Sequence, residues 1–329
     1  MEKLLRSTAP SAEASAASGR NSMVDLSHLA LVEVSGEDAE KFLASQLTND
    51  VPALTAHQTQ LSAWCSAQGR VLALLRMYRT PSSYRMLLPA DLAEETMKRL
   101  RMFVLRAKVK IEDLSPRYVR LGLSGPKAAE CLGMVVGQVP TELNAANTTY
   151  NGTLLRLPGA VPRFIFVGEA GEAGMIWDKL ATDARPAGAD SWTLLDIEAG
   201  QPQVYAATRD EFIPQTLNLD VLGAVSFSKG CYPGQEIVAR LKYRGRLKQR
   251  LYPGRAQTDR LPERGGKIVV RGQEAHVGRV VDVAAHPEGG IALLAVLNME
   301  SAQSAELHLN TPDGPACRFT MPPYPINEE

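Results

Sequence analysis

A duplicated segment is the feature of this sequence that most constrains its fold. Residues 32–43 read VEVSGEDAEKFL and residues 121–132 read LGLSGPKAAECL, so the same pattern recurs at an offset of 89 residues. In each copy the alternating apolar residues predict a strand, the Ser-Gly pair ends it, and the following apolar residues lie on one face of a helix. A repeat of this length is too long for a solenoid and indicates a duplicated domain.

The order of elements around each copy predicts an α+β fold. Residues 84–88 and 163–167 are apolar stretches that each precede a predicted helix, so each half reads strand, helix, hairpin, strand, helix. That order is close to the βαββαβ pattern of a ferredoxin-like unit. After about Leu251 the sequence changes to short β-rich runs separated by Gly and Pro, which predict a small C-terminal β-barrel or sandwich.

Composition and charge exclude several classes of function. The 329 residues contain 36 Lys and Arg and 36 Asp and Glu, so a general affinity for nucleic acid or membrane is not indicated. No apolar run approaches the roughly 20 residues that span a bilayer, so no membrane partner is expected. The N-terminal residues are rich in Ala and Ser and lack an apolar signal region, which predicts a disordered tail over residues 1–23.

The cysteines and histidines give no sign of a metal site. Neither type forms a CxxC, HxH or HxxxH pair, so we expect no metal centre. Four widely spaced thiols in so long a chain are typical of a reducing compartment, which favours the cytoplasm, or the mitochondrial matrix in a eukaryote. The four are Cys65, Cys131, Cys231 and Cys317.

Residues 229–236, KGCYPGQE, contain the strongest candidate for chemistry. Glycines on both sides of Cys-Tyr-Pro predict a tight turn. A helix that begins at Pro233 would direct its free amides toward Cys231, and Lys229 adds a positive charge; both effects favour a thiolate. Cys231 is therefore a candidate reactive thiol, and the alternative is a turn cysteine selected for its small size.

A second candidate lies in residues 194–200, LLDIEAG. Glu198 stands in an apolar, strand-like run, where an ionised carboxylate is costly unless it has a hydrogen-bonding partner. The residues alone allow two interpretations, a ligand-binding carboxylate or an ion pair with a core arginine.

The KGCYxGQE stretch resembles the signature of the YgfZ family, relatives of the glycine-cleavage T-protein, and it matches that signature at every fixed position. The resemblance covers most of the chain, from about residue 26 to residue 296. Further matching stretches are QLTND at 46–50, GRVLA at 69–73, FIPQ at 212–215 and VSF at 225–227.

The resemblance also implies a domain arrangement. It predicts a T-protein-like ring of three parts, in which two related α+β units exchange segments and a β-barrel completes a folate-sized cleft. The expected boundaries are a tail at 1–23, a first unit formed by 24–115 and 190–243, a second unit at 116–189, and a barrel at 244–329.

The function implied by the resemblance is tetrahydrofolate binding in support of the assembly or repair of iron–sulfur clusters, including those of tRNA-modifying radical enzymes. Client proteins or assembly factors would be partners. In T-protein relatives a Glu in the same apolar-Glu-Ala-Gly setting contacts the pterin ring, whose adjacent donors suit a carboxylate. The resemblance therefore implies that Glu198 holds the folate, while Cys231 is the reactive group and Lys229 tunes it. The other residues expected at the folate site are Asn49, Asp50, Tyr232, Gln235, Glu236, Arg240 and Arg244.

Five cations alternate with other residues where the predicted barrel begins. In a strand this alternation would place all five side chains on one face, and residues 237–258 contain no acidic residue to neutralise them. Two interpretations are open: a solvated sheet edge protected from aggregation, or an anion site for folate glutamate tails or tRNA phosphates. The five residues are Lys242, Arg244, Arg246, Lys248 and Arg250.

One departure from the family pattern bears on catalysis. T-proteins place a catalytic Asp in a Gly-Gly-x-x-Asp-Asp stretch, but residues 69–74 read GRVLAL, so Ala73 and Leu74 stand where the carboxylates would be. Without that acid, proton transfer at the folate amine has no obvious agent. Whether the protein is an enzyme stays open, and the alternatives are a folate-dependent aminomethyltransferase or demethylase-like enzyme and a tRNA-binding module.

Overall fold

The computed structural model of the chain describes residues 20–149, 152–273, 275–304 and 306–326. Most of the predicted tail, residues 1–19, lies outside the described residues. The tail ends earlier than predicted, because Ser22 and Met23 are buried in strand β1 (Ser22–Asp25). In the part of the chain that is described, no helix has the length and apolar character to cross a membrane.

The first α+β unit is a five-stranded antiparallel sheet with two helices. The strand order is β3-β4-β5-β2-β6, and α2 packs on β2, β5 and β6. In chain order the elements are β2 (Leu29–Ser35), α1 (Ala39–Gln46), β3 (Thr59–Cys65), β4 (Val71–Arg79), β5 (Ser83–Pro89), α2 (Ala90–Met102) and β6 (Lys110–Asp113).

The second unit repeats this arrangement, which confirms the predicted duplication. Its strand order is β11-β1-β7-β10-β9-β8. Strand β1, near the N-terminal end of the described chain, thus lies between β11 and β7. The elements are β7 (Tyr118–Ser124), α3 (Ala128–Val136), β8 (Ala146–Thr149), β9 (Gly152–Leu157), β10 (Arg163–Glu169), α4 (Ala170–Leu180) and β11 (Arg185–Ala187).

The Ser-Gly turn of each repeat has the same packing role. Gly36 has a φ of 113°, and a Cβ there would lie 2.1 Å from the carbonyl oxygen of Lys108. Gly125 has a φ of 134°, and a Cβ there would lie 2.6 Å from the Cα of Asn21. Only glycine tolerates both the left-handed backbone and the close approach. The repeated dipeptide therefore marks the place where another segment crosses the turn.

The C-terminal part is a closed six-stranded barrel, as predicted. The strand order is β12-β15-β14-β13-β16-β17, and β17 pairs with β12. The barrel shares one hydrophobic core with the first unit, in which Leu251 and Leu294 join Val34 and Leu43. The elements are β12 (Gln249–Ala256), β13 (Lys267–Val270), β14 (His276–Ala285), β15 (Ile291–Asn298), α7 (Met299–Ser304), β16 (Leu307–Leu309) and β17 (Ala316–Phe319).

Two helices, α5 (Ala189–Glu198) and α6 (Gln235–Arg244), flank a long connection between the α+β units and the barrel. The strand-like interpretation of residues 194–198 was wrong, because these residues end α5. Trp192, Leu194 and Ile197 are all buried, so the helix is apolar around most of its circumference. Such a helix shows no period of 3.6 and cannot be told from a strand by its pattern.

The prediction that residues 242–250 form one strand was also wrong. Lys242 and Arg244 end α6, Arg246 and Lys248 follow in irregular chain, and β12 begins only at Gln249. Most of residues 235–244 are good helix formers, and this intrinsic preference continues the helix as far as Gly245.

Arg250 lies inside the protein and attaches the barrel to the connection. Its guanidinium contacts Asp220 at 2.7 and 3.1 Å and donates to the carbonyl oxygen of Gln215 at 3.0 Å. Beside it, the side chain of Asn218 donates to the carbonyl oxygen of Leu251 at 2.9 Å and accepts from its N–H at 3.3 Å. Arg250 therefore does not belong to the basic surface.

Candidate functional site

Residues 229–234 form the loop that leads into α6. Gly234 has a φ of 80°, in the left-handed region that favours glycine, and directly precedes the helix. The helix therefore begins at Gln235, two residues after the predicted start at Pro233. Cys231 is exposed in this loop.

A backbone contact with the β3–β4 hairpin holds the loop in place. A Cβ on Gly234 would lie 2.4 Å from the carbonyl oxygen of Ser66 and 2.6 Å from the Cα of Gly69. Gly69 has a φ of 71°, and its own Cβ would lie 3.0 Å from the Cβ of Ile237. The two glycines thus allow the hairpin turn and the start of α6 to touch. The same contact therefore explains the glycine in GRVLA and the second glycine in KGCYPGQE.

Lys229 ties the loop to the end of α1. Its ammonium donates to the carbonyl oxygens of Ala44 and, at 2.8 Å, Leu47, and it lies 4.8 Å from the centre of the Tyr232 ring. Burial lowers the pKa of Lys229, while the nearby Asp50 and Cys231 act in the opposite direction. A cation at the C-terminus of a helix is favourable. Lys229 therefore holds the loop against the end of α1, and it also lies near Cys231.

The four thiols differ in exposure. Cys231 is exposed, whereas the other three are buried and none of the four is in a disulfide. Burial raises the pKa of Cys65 and of Cys317 to about 12, and it raises the pKa of Cys131. Buried thiols of this kind are inert packing residues. Cys231 is the thiol that a solution partner can reach.

Two of the expected folate residues are engaged in holding the loop. Asn49 donates to the carbonyl oxygens of Leu61 at 2.7 Å and Gly223 at 2.6 Å, which joins β3 to the segment before Lys229. Tyr232 is buried, and burial raises its pKa. These side chains fix the position of the loop.

Asp50 is half-buried next to Asn49, and its backbone N–H donates to the side-chain oxygen of Asn49 at 2.9 Å. The other four expected folate residues lie on α6. Glu236, Arg240 and Arg244 are exposed and Gln235 is half-buried. Within the described part of the chain none of the three charged side chains has an ion pair, so they are available to a partner.

Glu198 is placed elsewhere, at the end of α5, where it faces the barrel. Its carboxylate lies 4.0 Å from Nε2 of His286, and among the described residues no hydrogen bond or ion pair joins it to Cys231. Partial burial raises the pKa of Glu198, against the influence of Arg163 and Arg255. The predicted site residues therefore form two groups, one around Cys231 and one around Glu198. Sequence reasoning did not place His286 or Arg255 at this site, since neither lies in a motif.

The core arginine expected as an alternative partner of Glu198 exists, but it binds the neighbouring acid. Arg163 is fully buried, and its guanidinium lies 2.8 Å from the carboxylate of Asp196. A buried arginine of this kind needs a paired carboxylate. Because Asp196 supplies it, Glu198 is not required for charge balance in the core. The LLDIE run contains a second acid, Asp196, and this was the feature of the sequence that could have indicated a different partner for the core arginine.

The positions of the missing T-protein acids are interior. Ala73 and Leu74 lie in β4 and are 0% and 1% exposed. Among the described residues no group of three or more His, Cys, Asp or Glu side chains could hold a metal ion. A cavity of about 480 Å³ lies at the start of α3, lined by Lys127 and Arg185 among others, and it includes none of the predicted site residues.

Comparison with known proteins gives relatives over nearly the whole chain. The family described as GCVT N-terminal domain matches residues 5–229. The tRNA-modifying protein YgfZ of Edwardsiella ictaluri (strain 93-146) is 34% identical over 301 residues, 91% of this chain and 90% of its own length. The protein of the same name from Escherichia coli O7:K1 is 31% identical over 308 residues, covering 93% and 94%.

A solved structure shows the fold. Glycine cleavage system aminomethyltransferase T from Bartonella henselae superimposes with a TM-score of 0.77 at 18% identity, over 94% of this chain and 87% of that chain. The T-protein-like architecture predicted from the sequence is therefore confirmed.

Two glycine substitutions test the contact that holds the Cys231 loop. Gly223 also has a positive φ, 68°, but a Cβ there meets nothing within 4 Å. Gly223→Ala should therefore lower the free energy of unfolding by about 1–2 kcal/mol, through backbone strain alone. Gly234→Ala should cost about 1–3 kcal/mol more, because the hairpin must move. Urea unfolding of both variants measures the difference, and equal losses would contradict the proposed role of the hairpin contact.

Proposed function

Because the chain belongs to the YgfZ family, we propose that it binds tetrahydrofolate and supports the assembly or repair of iron–sulfur clusters, including those of enzymes that modify tRNA. The observation that carries the proposal is the exposure of Cys231 in a loop held by Gly69, Gly234 and Lys229. The relatives' name, tRNA-modifying protein, supports the link to tRNA.

The loop suits a reactive thiol. An accessible cysteine beside a cation acts as a nucleophile or a metal ligand once it is a thiolate. Lys229 has three N–H donors, and two carbonyl oxygens at the end of α1 accept from it, so the ammonium is fixed in place. Its charge remains close enough to Cys231 to influence it. The loop would therefore present the exposed thiol near a positive charge that is held in place.

Glu198 would bind the pterin ring. The carboxylate is partly exposed, and within the described residues it accepts no hydrogen bond, so both oxygens are available to adjacent ring donors. Gln235, Glu236, Arg240 and Arg244 would contact the rest of the folate or its anionic tail. The aminomethyltransferase alternative lacks an acid at Ala73 and Leu74, whose positions are buried.

Complementation of a deletion strain tests the role of Cys231. Cys231→Ser keeps the size of the side chain at an exposed position, so we expect a folded protein that fails to restore aerobic growth and the activity of an aconitase-type cluster enzyme. Cys317→Ala is the matched control, since it removes a buried thiol and should complement. Full complementation by Cys231→Ser, with thermal unfolding equal to wild type, would rule out the thiol mechanism.

A direct contact with tRNA is a second candidate, favoured by a cationic surface beside the Cys231 loop. Its cations are exposed and, within the described chain, form no ion pair. Lys242 lies 5.5 Å from the centre of the Phe227 ring, which packs edge-to-face with the exposed Tyr243. Cations interleaved with accessible aromatic rings suit unpaired RNA. The cations are Arg240, Lys242, Arg244, Arg246 and Lys248.

The salt dependence of tRNA affinity tests this contact. A variant with Lys242, Arg244, Arg246 and Lys248 replaced by Gln should lower the slope of log K against log salt by about 3, since each phosphate contact contributes about 0.7–0.9. A control variant carries the same charge change on exposed cations of the barrel: Arg260, Lys267, Arg271 and Arg318. Equal slopes for the two variants would contradict a specific RNA surface.

A further inference from the structure

The end of α5 holds a donor and an acceptor that do not bond to each other. Nε2 of His286 lies 4.0 Å from Oε1 of Glu198, which is too long for a hydrogen bond. The Glu198 side chain is 40% exposed and that of His286 is 12% exposed. Within the described residues, neither Nε2 nor the carboxylate has a hydrogen-bond partner. Both polar groups therefore face a place that a ligand can reach.

The contacts of the other ring nitrogen determine the tautomer of His286. Nδ1 lies 2.8 Å from Nη2 of Arg255 and 3.2 Å from the backbone nitrogen of Glu288, within hydrogen-bond distance of both. Arginine and the backbone N–H can only donate, so Nδ1 must be the acceptor. A neutral imidazole with Nδ1 unprotonated carries its hydrogen on Nε2. His286 thus directs an N–H toward the region of Glu198.

Further groups around the pair keep it in this state. Arg255 also binds the carboxylate of Glu288 at 2.8 Å, which fixes the guanidinium against the histidine. Burial and Arg255 lower the pKa of His286, so the ring is neutral at neutral pH. A second proton on Nδ1 would face Arg255 directly. An ion pair between protonated His286 and Glu198 is therefore unfavourable.

A ligand that satisfies both groups must present donors beside an acceptor on one edge. A 2-amino-4-oxopteridine has this edge, because its amino group and ring N–H donate and its 4-oxo group accepts next to them. We propose that His286 is a second specificity residue of the Glu198 site: its Nε2–H donates to the 4-oxo group of a pteridine whose amino and ring N–H groups donate to Glu198. This inference rests on the proposed folate binding and extends it, since it assigns part of the recognition to the barrel.

Calorimetry on the full chain tests the assignment with two ligands, tetrahydrofolate and its 4-amino-4-deoxy analogue. The analogue has an amino donor in place of the oxo acceptor, and its ring nitrogen beside the 2-amino group carries no hydrogen, so wild type should prefer tetrahydrofolate through both His286 and Glu198. His286→Ala should bind tetrahydrofolate about tenfold more weakly and reduce the preference by a similar factor, as expected for one hydrogen bond, while the part of the preference due to Glu198 remains. His286→Gln retains an N–H donor and should recover part of both. His276→Ala, an exposed histidine at the other end of β14, is the matched control and should behave as wild type.

The outcomes separate this inference from the function on which it rests. Failure of wild type to bind tetrahydrofolate would overturn both. Binding that Glu198→Gln weakens, with unchanged affinity and preference in His286→Ala, would overturn the role of His286 and leave the folate proposal intact. An equal loss for both ligands in His286→Ala, without recovery in His286→Gln, would show a structural role only and would also overturn the inference.

Discussion

The contact between the β3–β4 turn and the start of α6 is the constraint on which the Cys231 loop depends. Gly69 and Gly234 both have left-handed backbones, and a side chain on either would strike the other segment. This contact fixes where α6 begins and therefore where the preceding loop must run. Lys229 then attaches that loop to the end of α1. An exposed cysteine in such a loop has a defined position, which a thiol on a mobile segment would lack.

The barrel forms part of the candidate site as well as covering the core. Arg250 and Asn218 lock its first strand to the connection that follows α5. On the other side, His286 and Arg255 extend toward Glu198. The environment of Glu198 thus depends on the packing of the barrel against the α+β units, whereas the Cys231 loop is held by contacts with the first unit.

The sequence predicted the architecture because the relevant signals were local. The repeated Ser-Gly turn and the alternation in the barrel strands report backbone geometry directly. The wrong strand assignments at residues 194–198 and 242–250 occurred where a helix lacked a visible apolar stripe or where charge alternation looked like a strand. The sequence did not single out His286, because Glu198 and Arg255, which lie beside it, are distant in the chain.

Alkylation kinetics test most directly the claim that the fold activates Cys231. The rate constant of iodoacetamide with Cys231 is measured at neutral pH in the native chain and in the same chain unfolded in urea, with mass spectrometry to separate the four cysteines. The native rate should exceed the unfolded rate if, as we propose, the loop fixes Cys231 near the positive charge of Lys229. Lys229→Gln should lower the native rate, and Lys229→Arg should retain most of it. A native rate equal to or below the unfolded rate would contradict the claim.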